Sequence, residues 1–469
     1  MSKRILLIEP DYKNKYPPLG LMKISSFHKE MGDEVIFFKG YSKDLRKERW
    51  DRIYISTLFT FYWRKTIDTI KYYSKSVEKT ADIFVGGVMA TLLNGEISKE
   101  TQTTIIPGLL NKKGLLGISG DESVDELVPD YSIIEPRNNP YLDYEYPTRD
   151  CYFAYATRGC IRKCKFCAVH QIEPKFTNSL SVKEQVKAIK SNFGEKKDLL
   201  LLDNNILASS HFEGIIEELK EIGFATGAKF EQEVNGRKIK KNRFVDFNQG
   251  VDARLLTKEK MRALSELAIN PLRIAFDKIS YKDIYIEKVR WAAEFGIKML
   301  SNYILFNHDD TPEDFYERLK INIELNEGFE KKGLFSKIWS FPMRFSPIAG
   351  EDCKNRKYVG EHWNKKYLRG IQCILLATHG VVGPKRKFFE KAFGKNCKEF
   401  KKILLMPEKY IIYRKKFEKN AKVSELERQI KNLSSKEKKI FMQHLLNNNT
   451  ENKEIGKWNK VKSVLKYYA

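Results

Sequence analysis

The chain has 469 residues, 42% hydrophobic and 12% aromatic, with a formal net charge of +24. That length exceeds one ordinary compact domain, and that apolar content excludes disordered and collagenous classes. Seven cysteines in a long chain argue for free thiols or metal ligation over a disulfide scaffold.

The N-terminal apolar run covers only residues 5–8, too short for a secretion signal or a membrane span. No apolar stretch approaches about 18 residues, so a cytoplasmic protein without membrane contact is expected. Over the first hundred residues, short apolar runs at 5–8, 35–38, 53–56 and 83–85 have the character of buried strands. Pro17 and Pro18 open a helix with Leu21, Ile24, Phe27 and Met31 on one face, closed by Gly32. A second helix is expected over 62–78. Strands alternating with helices imply right-handed βαβ units and a doubly wound parallel sheet. Gly86 and Gly87 follow the fourth strand, where such folds place ligand loops. Residues 105–106 and 118 are candidates for further strands. No G-x-G-x-x-G is present, so a nicotinamide fingerprint is not supported.

Residues 131–150, rich in Pro, Asn, Asp and Tyr, read as a linker. A second βα series follows, with strands expected over 152–157, 199–202, 244–247, 273–276, 299–305 and 338–341. Helical patterns lie between them, at 212–222, 258–267, 283–295 and 312–326. Six βα repeats imply a partial barrel whose chemistry gathers at the C-terminal strand ends. The polar stretch 231–243 reads as an inserted loop. After Gly350 the pattern is helical: Val423, Leu426, Ile430 and Leu433 share a face, and Ser434 with Glu437 forms a capping-box spacing. Residues 447–452 read as a low-complexity turn. The expected domains are therefore 1–130, the linker 131–150, a barrel over 151–350 and a basic helical region over 351–469. From 385 to 469 there are 24 Lys or Arg against nine Glu and no Asp, which reads as a solvated surface or as contact with a polyanion such as nucleic acid.

The chemical signal is ATRGCIRKCKFCAVHQIEP, which places Cys160, Cys164 and Cys167 in the pattern C-x-x-x-C-x-x-C. Three thiolates on one loop can hold three corners of a cuboidal iron–sulfur cluster and leave the fourth iron open. Gly159 lets the loop turn after the strand, and Arg158, Arg162, Lys163 and Lys165 place positive charge nearby. The alternative is a zinc site with Cys151 or His170 as fourth ligand.

This loop after a first barrel strand, with aromatic Phe166 before the last cysteine, resembles the radical S-adenosylmethionine (radical SAM) superfamily over roughly residues 152–350. The resemblance implies a 4Fe–4S cluster on Cys160, Cys164 and Cys167, with S-adenosyl-L-methionine on the open iron through its amino and carboxylate groups. One electron, from a reductant such as flavodoxin or ferredoxin, would break the sulfonium to methionine and a 5′-deoxyadenosyl radical, which would abstract hydrogen from a substrate in the barrel. Asp203, Asn204 and Asn205 end the second strand, where the family often has Gly-Gly-Glu against the methionine amino group; the departure leaves the exact contact open. Asp277 ends the fourth strand, where the family often touches the cosubstrate. The segments 302–315 and 344–351 resemble the fifth- and sixth-strand exits. Arg254, in NQGVDARLLTKE with Gln249 and Asp252, reads either as a carboxylate clamp or as a helix-entry ion pair.

Residues 3–130 resemble the cobalamin-binding domain that precedes many radical SAM barrels, through ILLIEP, PPLGLMKISSFHKEMGDEV, ADIFVGGVMATL and GISGDESVDEL. The D-x-H-x-x-G loop is missing, and His28 inside the first helix reads as a surface residue. Cobalamin is thus an optional further cofactor. Cys353, Cys373 and Cys397 read as small buried hydrophobes, and His379 as structural. The leading expectation is a radical SAM enzyme acting on an unidentified small molecule or peptide, with methyl transfer where cobalamin binds. A radical SAM enzyme modifying RNA and a zinc-stabilised nucleic-acid-binding protein are the alternatives.

Overall fold

A computed structural model describes residues 2–447 and 458–468. All but the first residue of the turn expected at 447–452 lies outside the described residues. The chain divides into two compact units.

The first unit comprises Met1–Val251, Glu259–Asn270 and Ser346–Tyr358. Its strands β1 (Arg4–Glu9), β2 (Glu34–Lys39), β3 (Arg52–Thr57), β4 (Ile83–Gly87) and β5 (Thr104–Ile106) are all parallel, in the order β2-β1-β3-β4-β5. That order puts the topological switch between β1 and β3, the usual ligand position of a doubly wound sheet. The apolar run of β1 is buried from Ile5 onward because both sheet faces are covered. Leu6, Ile8, Ile53, Ile55, Ile83 and Val85 share one core with Ile67, Ile70 and Tyr73 of the helix Trp63–Tyr73. The helix Leu19–Glu30 packs on β1, β2 and β3.

Some expectations need correction. Residue 118 lies in a run of turns, not a strand. The helix expected over 62–78 is Trp63–Tyr73 with short 3-10 turns at either end. His28 is not a surface residue: it is fully buried. Its Nδ1 lies 2.7 Å from Asp33 Oδ2 and its Nε2 2.9 Å from the Tyr54 hydroxyl. Burial lowers its pKa, so a neutral ring donating from Nδ1 and accepting at Nε2 fits both contacts.

In the same unit β6 (Cys151–Ala154), β7 (Asp198–Leu201) and, after the hairpin β8 (Lys229–Val234) and β9 (Arg237–Asn242), β10 (Val245–Phe247) form a parallel sheet in the order β10-β7-β6. The stretch expected as a loop at 231–243 is thus mostly an antiparallel ribbon. Its turn is Asn235–Gly236, both at positive φ, the pairing that a two-residue hairpin favours.

The second unit comprises Asp252–Lys258, Pro271–Phe345 and Val359–Ala469. Here β11 (Leu272–Arg273), β12 (Met299–Phe306) and β13 (Lys337–Arg344) form a parallel sheet in that order. The strand expected over 273–276 is only two residues long, although Ile274 N still donates to Ser301 O at 3.0 Å. The helix Pro312–Lys331 packs on β12 and β13. It starts with Pro312 in the first turn and a Thr311–Asp314 capping box, which satisfies amides that have no intrahelical partner.

From Lys365 the chain is helical, as expected. Tyr410, Leu426, Phe441, Leu445, Val461 and Val464 form a separate apolar cluster. The Ser434–Glu437 capping box is formed at the helix Ser435–Leu446. Several cations of this basic region pair with carboxylates, among them Arg386 with Glu327, Arg369 with Glu408 and Lys402 with Glu427. No helix of the described residues is long and apolar enough to cross a membrane.

Candidate metal centre

The strand expected over 152–157 leaves the sheet after Ala154. The amides of Ala156 and Thr157 turn instead to the carboxylate of Asp203, just past β7. Ala156 N donates to Asp203 Oδ2 at 3.2 Å; Thr157 donates to Oδ1 from its amide and, at 2.7 Å, from its hydroxyl. Asp203 is buried, and burial pushes its pKa up to about 6, against the pull of the Thr157 and Ala156 donors. It is therefore ionised at neutral pH, as three converging donors require.

The next two residues continue along the same loop. Asn204 Nδ2 donates to Glu173 Oε2 at 2.8 Å, and that oxygen also accepts from Gly159 N at 2.6 Å. Glu173 Oε1 pairs with Arg158 Nη2 at 3.1 Å, and the Arg158 guanidinium lies 3.9 Å over the Tyr155 ring. Asn205 Nδ2 donates to Cys160 Sγ at 3.4 Å, and Arg162 N donates to the same sulfur at 3.3 Å. Three consecutive residues after β7 thus reach, in order, positions 156–157, position 159 through Glu173, and position 160. Asn205 Oδ1 is buried without a hydrogen-bond partner.

Cys160, Cys164 and Cys167 are in no disulfide, each is half-buried, and Cys167 N closes a turn on Cys164 O at 3.0 Å. Phe166, between them, is half-buried. The other cysteines differ. Cys151, Cys353 and Cys373 are buried. Burial pushes the Cys151 thiol up to about 12 and raises those of Cys353, Cys373 and Cys397. Cys353 sits in the core of the five-stranded sheet, so two of the three late cysteines are buried as expected and Cys397 is half-exposed.

Cys151, one candidate fourth zinc ligand, lies buried within β6. His170 Nδ1 is buried without a partner. Among the described residues, no three His, Cys, Asp or Glu side chains converge as a single metal ion requires. The donor set on the loop is three thiols, a supporting amide N–H and flanking cations. It fits a cuboidal cluster, which spreads its thiolates over separate irons.

In the second unit, Arg254 forms a two-pronged pair with Asp252, Nε to Oδ1 at 2.7 Å and Nη2 to Oδ2 at 2.8 Å, and lies 5.2 Å over the Tyr281 ring. Of the two readings of Arg254, the geometry forms the local ion pair. Asp277 is half-buried. Burial pushes its carboxyl up to about 6, against the pull of Arg318 and Arg254. Arg318 is fully buried. It donates to the backbone oxygens of Phe276 and Asp277 at 3.2 and 2.9 Å and pairs with Asp310 at 2.7 Å.

Sequence reasoning missed Glu173, Thr157 and Arg158 as supports of the cysteine loop. No spacing rule announces a carboxylate that reaches back to a glycine amide; the only signal was an acidic residue following a basic loop.

At the C-terminal end of β3, Phe59 is 54% exposed and stacks on Phe61, centroids 5.2 Å apart. Phe61 leads to Tyr62 and then Tyr12, each step 4.8 Å, and Arg356 lies 4.0 Å over Phe61. This aromatic shelf stands at the switch point. Beside it, at the ends of β1 and β2, Lys39 Nζ pairs with buried Glu9 at 2.5 Å, and Asn14 and Tyr146 also donate to Glu9. Gly87, expected in a ligand loop, is held against the backbone of Thr57, whose carbonyl oxygen a Cβ would strike.

No family model matches the sequence, and no curated protein matches it. Among solved structures, the chain is similar to a radical S-adenosylmethionine methyltransferase, TsrM, from Kitasatospora setae, with cobalamin and a 4Fe–4S cluster bound. Identity is 12% and the TM-score 0.50, over 74% of this chain and 76% of that one. The same enzyme with tryptophan substrate and a SAM analogue bound matches at 12% identity and a TM-score of 0.50, over 79% and 76%. The likeness shows the fold: an α/β chain in which a doubly wound parallel sheet precedes further parallel βα strands.

Proposed function

We propose that this chain is a radical SAM enzyme in which Cys160, Cys164 and Cys167 hold a 4Fe–4S cluster. The observation that carries the reading is the clasped loop: three half-exposed thiols follow Gly159 on one loop, where Asp203 holds positions 156–157, Asn204 holds Glu173 against Gly159, and Asn205 donates to Cys160 Sγ, while Cys151, Cys353 and Cys373 are buried.

The cluster, once bound, supplies one electron to the sulfonium of S-adenosyl-L-methionine and so starts radical chemistry on the substrate. The chain's own residues hold the loop and the cosubstrate. Asp203 fixes the path of 156–157, and Glu173 with Asn204 fixes Gly159. Asn205 presents a buried acceptor without a partner, Oδ1, where a methionine ammonium can donate. The positive side chains of Arg162, Lys163 and Lys165 favour an anionic cluster.

The test is oxygen-free reconstitution followed by S-adenosyl-L-methionine and dithionite, with 5′-deoxyadenosine read by chromatography. Its formation is expected in the wild type and not in a Cys164→Ala variant. An intact cluster that yields none would contradict the proposal.

A corrinoid is the second cofactor we assign, on the strength of the aromatic shelf. The switch point of the five-stranded sheet carries an aromatic cluster whose outermost ring, Phe59, is exposed and stacked on Phe61, a surface on which a corrin ring can lie. His28, the histidine of this domain's first helix, has both ring nitrogens engaged, so it offers no axial nitrogen. Bound cobalamin would supply methyl-group carriage, making the enzyme a methyltransferase. Retention of a corrinoid absorbance through gel filtration, weakened in Phe59→Asp, is the expected result; no retention by the wild type contradicts it.

A further inference from the structure

We infer that Asn205 tunes the reduction potential of the cluster through its amide N–H to Cys160 Sγ, a role distinct from contact with the cosubstrate. The inference rests on the assignment of Cys160 as a cluster ligand.

Asn205 is 3% exposed, and its Nδ2 lies 3.4 Å from the sulfur. The amide orientation is fixed by chemistry. The reversed amide would set Oδ1 against a thiolate, two acceptors face to face, so nitrogen points to sulfur. Hydrogen bonds to cluster sulfurs are among the levers that set the potential of such centres. Reduction adds one electron to the cluster with no bond made or broken, and the added negative charge is shared by the thiolate sulfurs. A donor aimed at Cys160 Sγ stabilises that reduced state more than the oxidised one and so raises the potential. The amide itself is almost fully buried, which strengthens the effect. Arg162 N, also on Cys160 Sγ at 3.3 Å, is a backbone donor and survives substitution of Asn205, so the side-chain contribution can be removed alone. The backbone of Asn205 is anchored independently of the sulfur: its main-chain carbonyl accepts from Ala208 N at 3.1 Å, at the start of the 3-10 turn Ile206–Ala208. The main chain that carries the amide is therefore held in place independently of the sulfur, and the side chain is confined by burial.

The experiment is a redox titration of reconstituted full-length protein, without S-adenosyl-L-methionine, monitored by electron paramagnetic resonance. Wild type, Asn205→Leu and Asn205→Asp are compared at matched iron and sulfide content. Loss of the donor is expected to shift the reduction equilibrium about tenfold toward the oxidised cluster, 59 mV downward for one electron. Asn205→Asp should move at least as far as Asn205→Leu, because a carboxylate also repels the thiolate. Midpoints within about twofold of the wild-type equilibrium overturn the inference. So does failure of both variants to load a cluster that the wild type loads, since Asn205 would then only prop the loop. A wild type that assembles no cluster is a different result: it removes the assignment of the three cysteines and this inference with it.

Discussion

Gly159 has φ +75°, and a Cβ there would collide with the carbonyl oxygen of Lys175 and meet that of Glu173. Left-handed backbone alone costs an L-residue roughly 1–2 kcal/mol, and the collision adds to it because backbone yields little. Gly159→Ala should therefore push the cysteine loop off the Glu173 clasp and reduce iron loading several-fold, read by metal analysis. Asp203 gives a pH-dependent expectation. Its folded pKa of about 6 exceeds the unfolded value of about 3.9. Between those values the folded chain binds a proton that the unfolded chain lacks, so this group's contribution to stability falls as pH rises through the window. Asp203→Asn should flatten that slope, worth up to about 3 kcal/mol across the window, in urea titrations between pH 4 and 6.5. Asp203→Ala should do worse than Asp203→Asn, by leaving three buried donors without an acceptor at about 1–3 kcal/mol each.

At the scale of elements, the runs that packing decides were readable. The buried β1, β3 and β4 show as unbroken apolar stretches because both sheet faces are covered, and the Ser434–Glu437 box shows because capping chemistry is local in sequence. Ser434→Ala should destabilise the helix Ser435–Leu446 by about 1 kcal/mol, measured as lost helical circular dichroism in the first part of thermal unfolding. Elements without a buried face were not readable. The β8–β9 ribbon has no apolar alternation, since β9 is exposed throughout; only Asn235–Gly236 marks its turn. His28 shows the reverse error. A polar residue on a helix reads as solvent-facing unless its partners are known, and Tyr54 lies 26 positions away. β6 ended early because Asp203, 46 and 47 residues on, takes the amides that a longer strand would have paired.

At the scale of the whole molecule, the chain joins a switch-point sheet and a cysteine loop in one unit, with parallel strands and a basic helical layer in the other. The three proposed ligand positions were legible because one short loop carries all of them. The clasp around them was not, because Asp203, Asn204 and Glu173 reach it through folding rather than through spacing. The large positive charge did not by itself indicate a partner: in the C-terminal region several cations answer nearby carboxylates.

The most direct measurement is the iron, sulfide and zinc content of protein prepared without oxygen, for the wild type and for Cys160→Ala, Cys164→Ala, Cys167→Ala and Cys151→Ala. A three-thiol cuboidal centre predicts about four irons and four sulfides per chain in the wild type, collapse in each of the first three variants, and no change in Cys151→Ala. Zinc in place of iron, or iron retained after loss of any of the three loop thiols, would contradict it.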